Sequence, residues 1–365
     1  MGQREARMVD ADLDQQKATT VDQLLAAARA EGVDVAIFHS LRNGPDWDNL
    51  PEPMRAGLSR AAKRAIAHEI ADRLQLAKAL DALAAEGIDC LLLKGTALAH
   101  WLYPAPHWRP RCDTDLLFAD RTAVERAYRV LHGLGYRKGT GIAGRYISHQ
   151  FACTRRAPKE RPLTLDMHWQ VSNSNFIAQR FRFADLWAEH RPVPILGPRA
   201  VALSARHALI HALFHRSLHL GSTDPDRLIW LYDMHLLCAR FSAEDWDEVV
   251  DEVVRRGLQP LCRDGLQDLS ELLGTPIPPS VDAALAAPPS ASMFDQLDLK
   301  HPGLRRRLFE LLSLPSWVQR LGLIREHLLP DAEYMREGFG ADRWWKLPFA
   351  YLRRILRGLT RRLRW

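Results

Sequence analysis

The sequence predicts an α/β protein in which a small mixed sheet is flanked by a long N-terminal helix and a helical C-terminal region. Apolar residues recur every four positions from Leu58 to Leu74, which predicts a helix over about residues 54–86. A mostly apolar run at 88–93 and the segment 113–118, whose last three residues are apolar, have the length of buried strands. From residue 202 onward the spacing of apolar residues indicates helices.

Each further element follows from the same patterns and from the glycines and prolines that interrupt them. Residues 21–31 are expected to be helical, and residues 40–53 are expected to form a loop. Two more strands are predicted at 148–154 and 163–169. The other predicted helices cover residues 96–102, 121–134, 202–220, 225–240, 243–256, 258–273, 304–312 and 315–328.

Five regions are expected along the chain. They are a helical N-terminal region (1–84), an α/β core (85–200), a helical domain (201–273), a Pro-rich linker (274–304) and a helical, basic C-terminal segment (305–365).

Composition places the chain among ordinary globular proteins. Of its 365 residues, 47% are hydrophobic and 26% are charged. No apolar run is long enough to span a bilayer, and the N-terminus lacks the apolar stretch of a signal peptide, so we expect a cytoplasmic protein. The five cysteines are scattered, which argues against a disulfide framework and against a structural zinc site.

The positive charge lies at one end of the chain. Residues 341–365 carry eight basic residues and one acid, or +7, whereas the whole chain is +6. The rest of the chain is therefore about −1, and nucleic acid is an unlikely partner for it. An apolar stripe in the basic segment indicates an amphipathic helix. Its members are Phe349, Leu352, Ile355, Leu356, Leu359 and Leu363.

Three roles are open for this helix. It could contact an anionic membrane surface, or it could bind an RNA or an acidic partner. It could also pack its stripe on the rest of the protein, which is the arrangement we expect, because terminal helices commonly dock.

The run Asp113-Thr114-Asp115 is the strongest functional signal. Carboxylates at i and i+2 of a strand lie on one face and can bind Mg²⁺, which prefers oxygen ligands. An isolated pair is also typical of a solvated strand end. The pair is flanked, however, by Lys94-Gly95-Thr96 upstream and by Asp166 within a later strand. Together these residues are predicted to form a site for nucleotide phosphates, with Asp113, Asp115 and Asp166 as metal ligands and catalytic residues.

The residues around the acids have matching chemistry. Gly95 would let the backbone approach a phosphate closely, and Thr96 would begin a helix, where free N–H groups favour anions. Lys94 could reach a phosphate. Arg109 could neutralise phosphate charge or pair with an acid, and His168 could contact a phosphate, orient Asp166 or support the strand.

Three runs of the sequence carry a family resemblance: Leu92 to Leu98, Asp113 to Leu117 and Leu165 to Trp169, with Tyr103-Pro104 and Arg109 between the first two. They resemble the uncharacterised bacterial nucleotidyltransferase-like family of the polymerase-beta-like superfamily. The resemblance is clearest over residues 85–240. It implies a small mixed-sheet nucleotidyltransferase core. It also implies that Gly95 and Thr96 hold the nucleotide phosphates, that Asp113 and Asp115 bind the metals, and that Asp166 completes the site.

The expected reaction is therefore Mg²⁺-dependent transfer of a nucleoside monophosphate (NMP) from a nucleoside triphosphate (NTP) such as ATP to an acceptor hydroxyl, with Mn²⁺ as a possible substitute. The acceptor could be a small molecule, a sugar, a peptide or a protein. Two alternatives stay open. One is a non-catalytic protein that binds a nucleotide or a partner, and the other is a phosphotransferase that moves the γ-phosphate.

A row of histidines offers a competing metal site. His207, His211 and His215 recur every four residues, and His219 continues the row. Two histidines at i and i+4 can bind zinc, but no HExxH pattern is present. We expect these histidines to pack between helices, and Asp233 on the next helix could orient one of them or frame the nucleotide pocket.

Overall fold

A computed structural model describes residues 20–139, 141, 144–158, 160–220, 226–286, 296–340 and 343–362. One mixed sheet lies at its centre, with strand order β3-β4-β5-β2-β1-β7-β6. The pairs β2–β5 and β1–β7 are parallel, and the other neighbouring pairs are antiparallel. The strands are β1 (Leu91–Leu93), β2 (Thr114–Leu117), β3 (Tyr136–Lys138), β4 (Gln150–Arg155), β5 (Leu163–His168), β6 (Arg191–Pro192) and β7 (Val201–Ala202).

Helices surround the sheet and form most of the described chain. They are α1 (residues 20–30), α2 (Asp34–Leu41), α3 (Glu52–Ala85), α4 (Lys94–Trp101), α5 (Arg121–Gly133), α6 (Asn175–Ala178), α7 (Phe183–Ala188), α8 (Ala205–His219), α9 (Leu228–Cys238), α10 (Ala243–Arg255), α11 (Gln259–Leu273), α12 (Pro279–Leu285), α13 (Leu304–Ser313), α14 (Trp317–Leu328), α15 (Ala332–Phe339) and α16 (Leu347–Arg362). Within the described ranges, none of the helices has both the length and the hydropathy to cross a bilayer.

The sheet separates two apolar clusters. Leu91 and Leu93 lie in one cluster and Leu92 in the other, as alternation along a strand requires. The first cluster continues through helices α8 to α12 and reaches Phe309 on α13. A single core therefore crosses the expected boundary at residue 200 and includes Val281 and Leu285, which lie within the Pro-rich segment expected to be a linker.

The long helix is present, but its predicted apolar face is only partly correct. Leu58 and Ala62 are buried, whereas Ile66, Ile70 and Leu74 are 41%, 48% and 57% exposed. A spacing of four exceeds the helical period of 3.6, so each step rotates the side chain by about 40° and the row leaves the buried face.

Short elements differ most from the sequence prediction. Helix α2 begins before the predicted loop over residues 40–53 and extends into it, and β7 occupies residues 201–202, where the prediction placed the start of a helix. Strand β7 exists because Leu91 and Leu92 pair with its two residues. Pairing between distant segments of this kind leaves no periodic signal in so short a run.

Candidate active site

The register of the sheet brings the acidic residues together. Asp115 pairs with Asp166 between the parallel strands β2 and β5, and His168 lies two residues beyond Asp166 on the same face of β5. Asp113 immediately precedes β2. Asp113, Asp115 and Asp166 all line one cleft of about 430 Å³, which is bounded by the sheet and by helices α4, α8 and α9.

Lys94 binds the central carboxylate. Its Nζ lies 2.6 Å from Asp115 Oδ1, because Leu93 pairs with Asp115 and Lys94 follows directly after β1. The backbone of Lys94 has φ of 51°, in the left-handed region that a residue with a Cβ rarely adopts. Such a conformation typically costs about 1–3 kcal/mol and is concentrated at functional sites.

His168 donates to the same oxygen. Its Nε2 lies 2.9 Å from Asp115 Oδ1, and both side chains are buried. Its other ring nitrogen, Nδ1, is buried and has no hydrogen-bond partner within the described part of the chain. Burial lowers the pKa of His168, so the neutral ring is the form that holds Asp115 in place.

The three carboxyl groups have different electrostatic environments. Burial opposes ionisation of Asp115, but Lys94 and His168 outweigh it and hold the pKa of Asp115 far below its usual range. Burial and the neighbouring Asp115 raise the pKa of Asp113. Burial and the same two carboxylates raise the pKa of Asp166 to about 7. Asp115 is therefore ionised at neutral pH, whereas the pKa of Asp166 lies close to neutral pH.

The donor set suits a hard divalent cation. One ligand atom from each of Asp115, Asp166 and His168 lies within 4.8 Å of the others, so the cluster could bind a metal ion. Among the described residues, the Asp166 side chain accepts one long hydrogen bond, of 3.4 Å from Gln150 Nε2, so its carboxylate oxygens could still bind a metal. The two carboxylates of this cluster fit Mg²⁺, which prefers oxygen ligands, whereas His168 already donates to Asp115 and an imidazole suits softer metals. Asp113 lines the same cleft but is not one of the three clustered residues.

Hydrogen bonds from the first turn of α4 hold the connection between β1 and α4 in place. Thr96 Oγ1 donates to the backbone carbonyl of Asp113 at 3.2 Å and lies 3.0 Å from Thr114 Oγ1. These bonds tie the start of α4 to the start of β2. A Cβ added to Gly95 would lie 3.2 Å from three guanidinium atoms of Arg109, so the missing side chain makes room for that cation.

Arg109 pairs with an acid, Asp233, which is one of the two roles that the sequence left open. Its Nε and Nη2 bind the carboxylate of Asp233 at 2.8–3.0 Å, and its Nη1 donates to the Pro110 carbonyl. Tyr103 Oη donates to Asp233 Oδ1 at 2.6 Å. Asp233 thus ties α9 to the segment between α4 and β2.

Aromatic residues of α8 and α9 form one wall of the cleft, here called the aromatic wall. His211, His215 and His219 line it together with Trp230. The rings of His215 and His219 lie 5.2 Å and 5.5 Å from that of Trp230, measured between centroids. Burial lowers the pKa of His211 to about 3, so its ring is neutral. The sequence predicted that this row packs or hydrogen-bonds between helices, and it did not predict that three of its members also line a cleft.

The first histidine of the row has a different environment. His207 Nε2 lies 3.1 Å from Glu252 Oε1, and its Nδ1 lies 3.0 Å from Ser204 Oγ. The reason is again the rotation of about 40° for each step of four residues. Other cleft residues, such as Gln150, Asn173 and Arg227, carry no distinctive sequence motif.

A mixed sheet with a D-x-D strand, a third acid on the parallel neighbour and a Lys-Gly-Thr turn into a helix defines a nucleotidyltransferase-like protein. The chain belongs to the family described as "Uncharacterised nucleotidyltransferase", whose profile matches residues 17–274. No match was found among curated proteins.

Two solved structures share a distant likeness. An antigenic nucleotidyltransferase-like protein from Paracoccidioides brasiliensis is 13% identical, with a TM-score of 0.40 over 60% of this chain and 94% of that one. An H. pylori protein assigned by name to the nucleotidyltransferases is 13% identical, with a TM-score of 0.29 over 66% of this chain and 94% of its own. Neither likeness is close enough to transfer a function.

Proposed function

We propose that this protein is a Mg²⁺-dependent nucleotidyltransferase that moves NMP from an NTP to an acceptor hydroxyl and releases pyrophosphate. The observation that most supports this function is the convergence of Asp113, Asp115 and Asp166, with Lys94, in one cleft. Family membership supports the reaction class. Mn²⁺ could replace Mg²⁺, because it shares the preference for oxygen ligands.

In this proposal the three carboxylates hold the metal, with His168 fixing the orientation of Asp115. A bound Mg²⁺ would neutralise phosphate charge and favour attack at the α-phosphorus. Lys94 lies close enough to the acids to bind a phosphate that enters the cleft, and the free N–H groups at the start of α4 favour anions. Arg109 is already bound to Asp233, so we assign it to holding the Gly95 turn in place.

Asp166 is the proposed general base. Its pKa of about 7 belongs to the metal-free cleft; a bound metal would keep Asp166 ionised, and a carboxylate beside the acceptor hydroxyl could then accept its proton. It would take the proton of the acceptor hydroxyl while the oxygen bonds to the α-phosphorus. The bond from that phosphorus to the bridging oxygen then breaks, and pyrophosphate leaves with the electron pair.

The aromatic wall is the proposed place for the nucleobase. Trp230, His215 and His219 line the same cleft as the acids, and a base can stack on such rings. Stacking tolerates any base, so the wall would bind nucleotides without itself dictating which NTP is preferred.

The test is turnover with two labelled substrates. The protein is incubated with each NTP carrying label at the α- or the γ-phosphate, with Mg²⁺ and candidate acceptors. Transfer of α-label with release of pyrophosphate supports the proposal, whereas transfer of γ-label would identify a phosphotransferase. Asp113→Asn/Asp115→Asn should lose metal-dependent NTP binding in calorimetry, and Asp89→Asn, which changes an exposed acid, should keep it. NTP binding that needs neither metal nor acids would support a non-catalytic binding protein.

A further inference from the structure

Helix α14 presents an apolar stripe to the outside of the protein. Its members recur at i, i+4, i+7 and i+11, which places them on one helical face. They are Trp317, Leu321, Ile324 and Leu328, and they are 74%, 62%, 41% and 49% exposed.

The opposite face of α14 is attached to the rest of the protein. Glu326 accepts hydrogen bonds from the backbone N–H groups of Arg145, Tyr146 and Ile147 at 2.8–3.0 Å. Leu323 is buried on the same side. The helix is therefore held in a fixed orientation, and its apolar stripe faces outward rather than into the core.

Helix α16 and the turn before it repeat this arrangement. Their stripe has the same i, i+4, i+7, i+11 spacing. It consists of Trp345, Phe349, Leu352 and Leu356, which are 47%, 68%, 54% and 50% exposed.

The packed face of α16 lies on the other side. Ala350 is buried together with Met335 of α15, and Tyr351 Oη donates to the Pro330 carbonyl at 2.7 Å. Arg354 Nη1 donates to the His327 carbonyl at 2.6 Å, so α16 contacts the C-terminal end of α14. For Phe349, Leu352 and Leu356 the structure thus differs from the expected packing, and the two stripes lie on neighbouring helices. The side chains of the other predicted stripe members, Ile355, Leu359 and Leu363, lie outside the described residues.

Cations lie beside both stripes. The Arg320 guanidinium is 4.9 Å from the Trp317 ring centroid, and Lys346 Nζ is 5.6 Å from that of Trp345. Arg325 and Arg353 are exposed next to stripe residues. Over residues 305–365 the sequence has fourteen Lys and Arg against six Asp and Glu, a net charge of +8. The acid on α14, Glu326, is turned away and bound to backbone.

We propose that α14 and α16 bind the surface of an anionic lipid bilayer, with both stripes inserted at the interface. Large apolar side chains buried below a row of cations are what such a surface accommodates, and tryptophan favours that depth. A nucleic acid would bind the cations and leave the leucines exposed. In a dimer formed through the two stripes, two segments that each carry a net charge of +8 would face and repel each other.

The test is binding of the full chain to vesicles. Vesicles of phosphatidylcholine alone are compared with vesicles that also contain phosphatidylglycerol, by co-sedimentation at low and high salt. We expect binding to the anionic vesicles only, and weaker binding at high salt. Leu321→Glu/Phe349→Glu should bind at least about tenfold more weakly. Leu74→Glu/Leu272→Glu changes two equally exposed leucines elsewhere and should bind as the unchanged protein does.

A second measurement does not depend on the variants. Bromine-labelled acyl chains quench tryptophans that enter the interface, so fluorescence of the unchanged protein should fall on anionic vesicles. No binding to anionic vesicles, or no quenching on binding, would overturn the proposal. Concentration-dependent dimerisation abolished by Leu321→Glu/Phe349→Glu would reassign the stripes to self-association, and RNA binding lost in the same variant would reassign them to RNA. None of these outcomes bears on nucleotide transfer in the cleft.

Discussion

Lys94 already supplies one positive charge to the acidic cluster. When ionised, Asp113, Asp115 and Asp166 carry −3, and the ammonium group brings the total to −2. One divalent cation is sufficient to neutralise this charge. The contact of 2.6 Å to Asp115 also explains how the left-handed backbone of Lys94 persists, since the ion pair compensates for its conformational cost.

Removing this charge should make the protein dependent on metal. In Lys94→Met, Asp115 loses a partner and three close carboxylates repel one another, so the free energy of unfolding in EDTA should fall by about 3–5 kcal/mol. Saturating Mg²⁺ should restore more stability to this variant than to the unchanged protein. Thermal melts with EDTA and with Mg²⁺ measure both effects, and Lys63→Met on the exposed face of α3 is the matched control. An equal response to Mg²⁺ in all three proteins would contradict the assignment.

The raised pKa of Asp166 makes stability depend on pH with a definite sign. The folded state keeps a proton up to about pH 7, whereas the unfolded chain loses it near 3.8. At this group the unfolded state therefore binds fewer protons between these values, and the contribution of Asp166 to the free energy of unfolding of the metal-free protein should fall as pH rises from 4 to 7.

Urea unfolding in EDTA across this pH range measures the slope. The free energy of unfolding of the unchanged protein minus that of Asp166→Asn should fall as pH rises from 4 to 7, and the same difference taken with Asp89→Asn, at an exposed position, should stay constant. Because a metal must displace the proton, Mg²⁺ should stabilise the unchanged protein more at pH 7.5 than at pH 5. Parallel curves for the unchanged protein and Asp166→Asn would show that the pKa of Asp166 is not raised.

At the level of elements, the sequence predicted the strands that carry the acids, because the D-x-D spacing and the flanking apolar residues are local. It did not predict that Asp233 of α9 would bind Arg109 and Tyr103, which precede it by more than a hundred residues. It likewise could not place His211 and His215 against the cleft, since a helical row does not specify its neighbour. Contacts between distant elements depend on packing that no local pattern encodes.

Loss of the Asp233 contacts should mainly lower the free energy of unfolding, with a smaller effect on substrate binding. Asp233→Ala leaves the Arg109 guanidinium buried without its partner, which should cost about 3–5 kcal/mol of unfolding free energy. Tyr103→Phe removes one hydrogen bond and should cost about 1 kcal/mol. In a double-mutant cycle, Arg109→Met/Asp233→Ala should cost less than the two single changes added together. Additive costs, measured by urea unfolding, would mean that the pair is not coupled.

At the scale of the whole molecule, the cleft is lined by two regions that the sequence predicted to be separate, the α/β core and the helical domain. Its acids belong to the sheet, and its aromatic wall belongs to α8 and α9. The apolar cluster that joins them includes Leu93 and Leu117 from the sheet and Leu209 and Phe214 from α8. The candidate site and the core therefore depend on the same contact between sheet and helices, which the composition of the chain does not reveal.

This shared core predicts that sheet and helices unfold as one unit. A chain of residues 20–313 keeps α1 to α13 and should unfold in a single transition, with far-UV and near-UV signals that coincide. A chain of residues 20–204 keeps the whole sheet and α3 but leaves one face of the sheet without the helices that cover it. Exposed leucines on that face should leave the shorter chain without cooperative unfolding and with strong binding of a hydrophobic dye. Cooperative unfolding of residues 20–204 would show instead that the sheet forms a domain of its own.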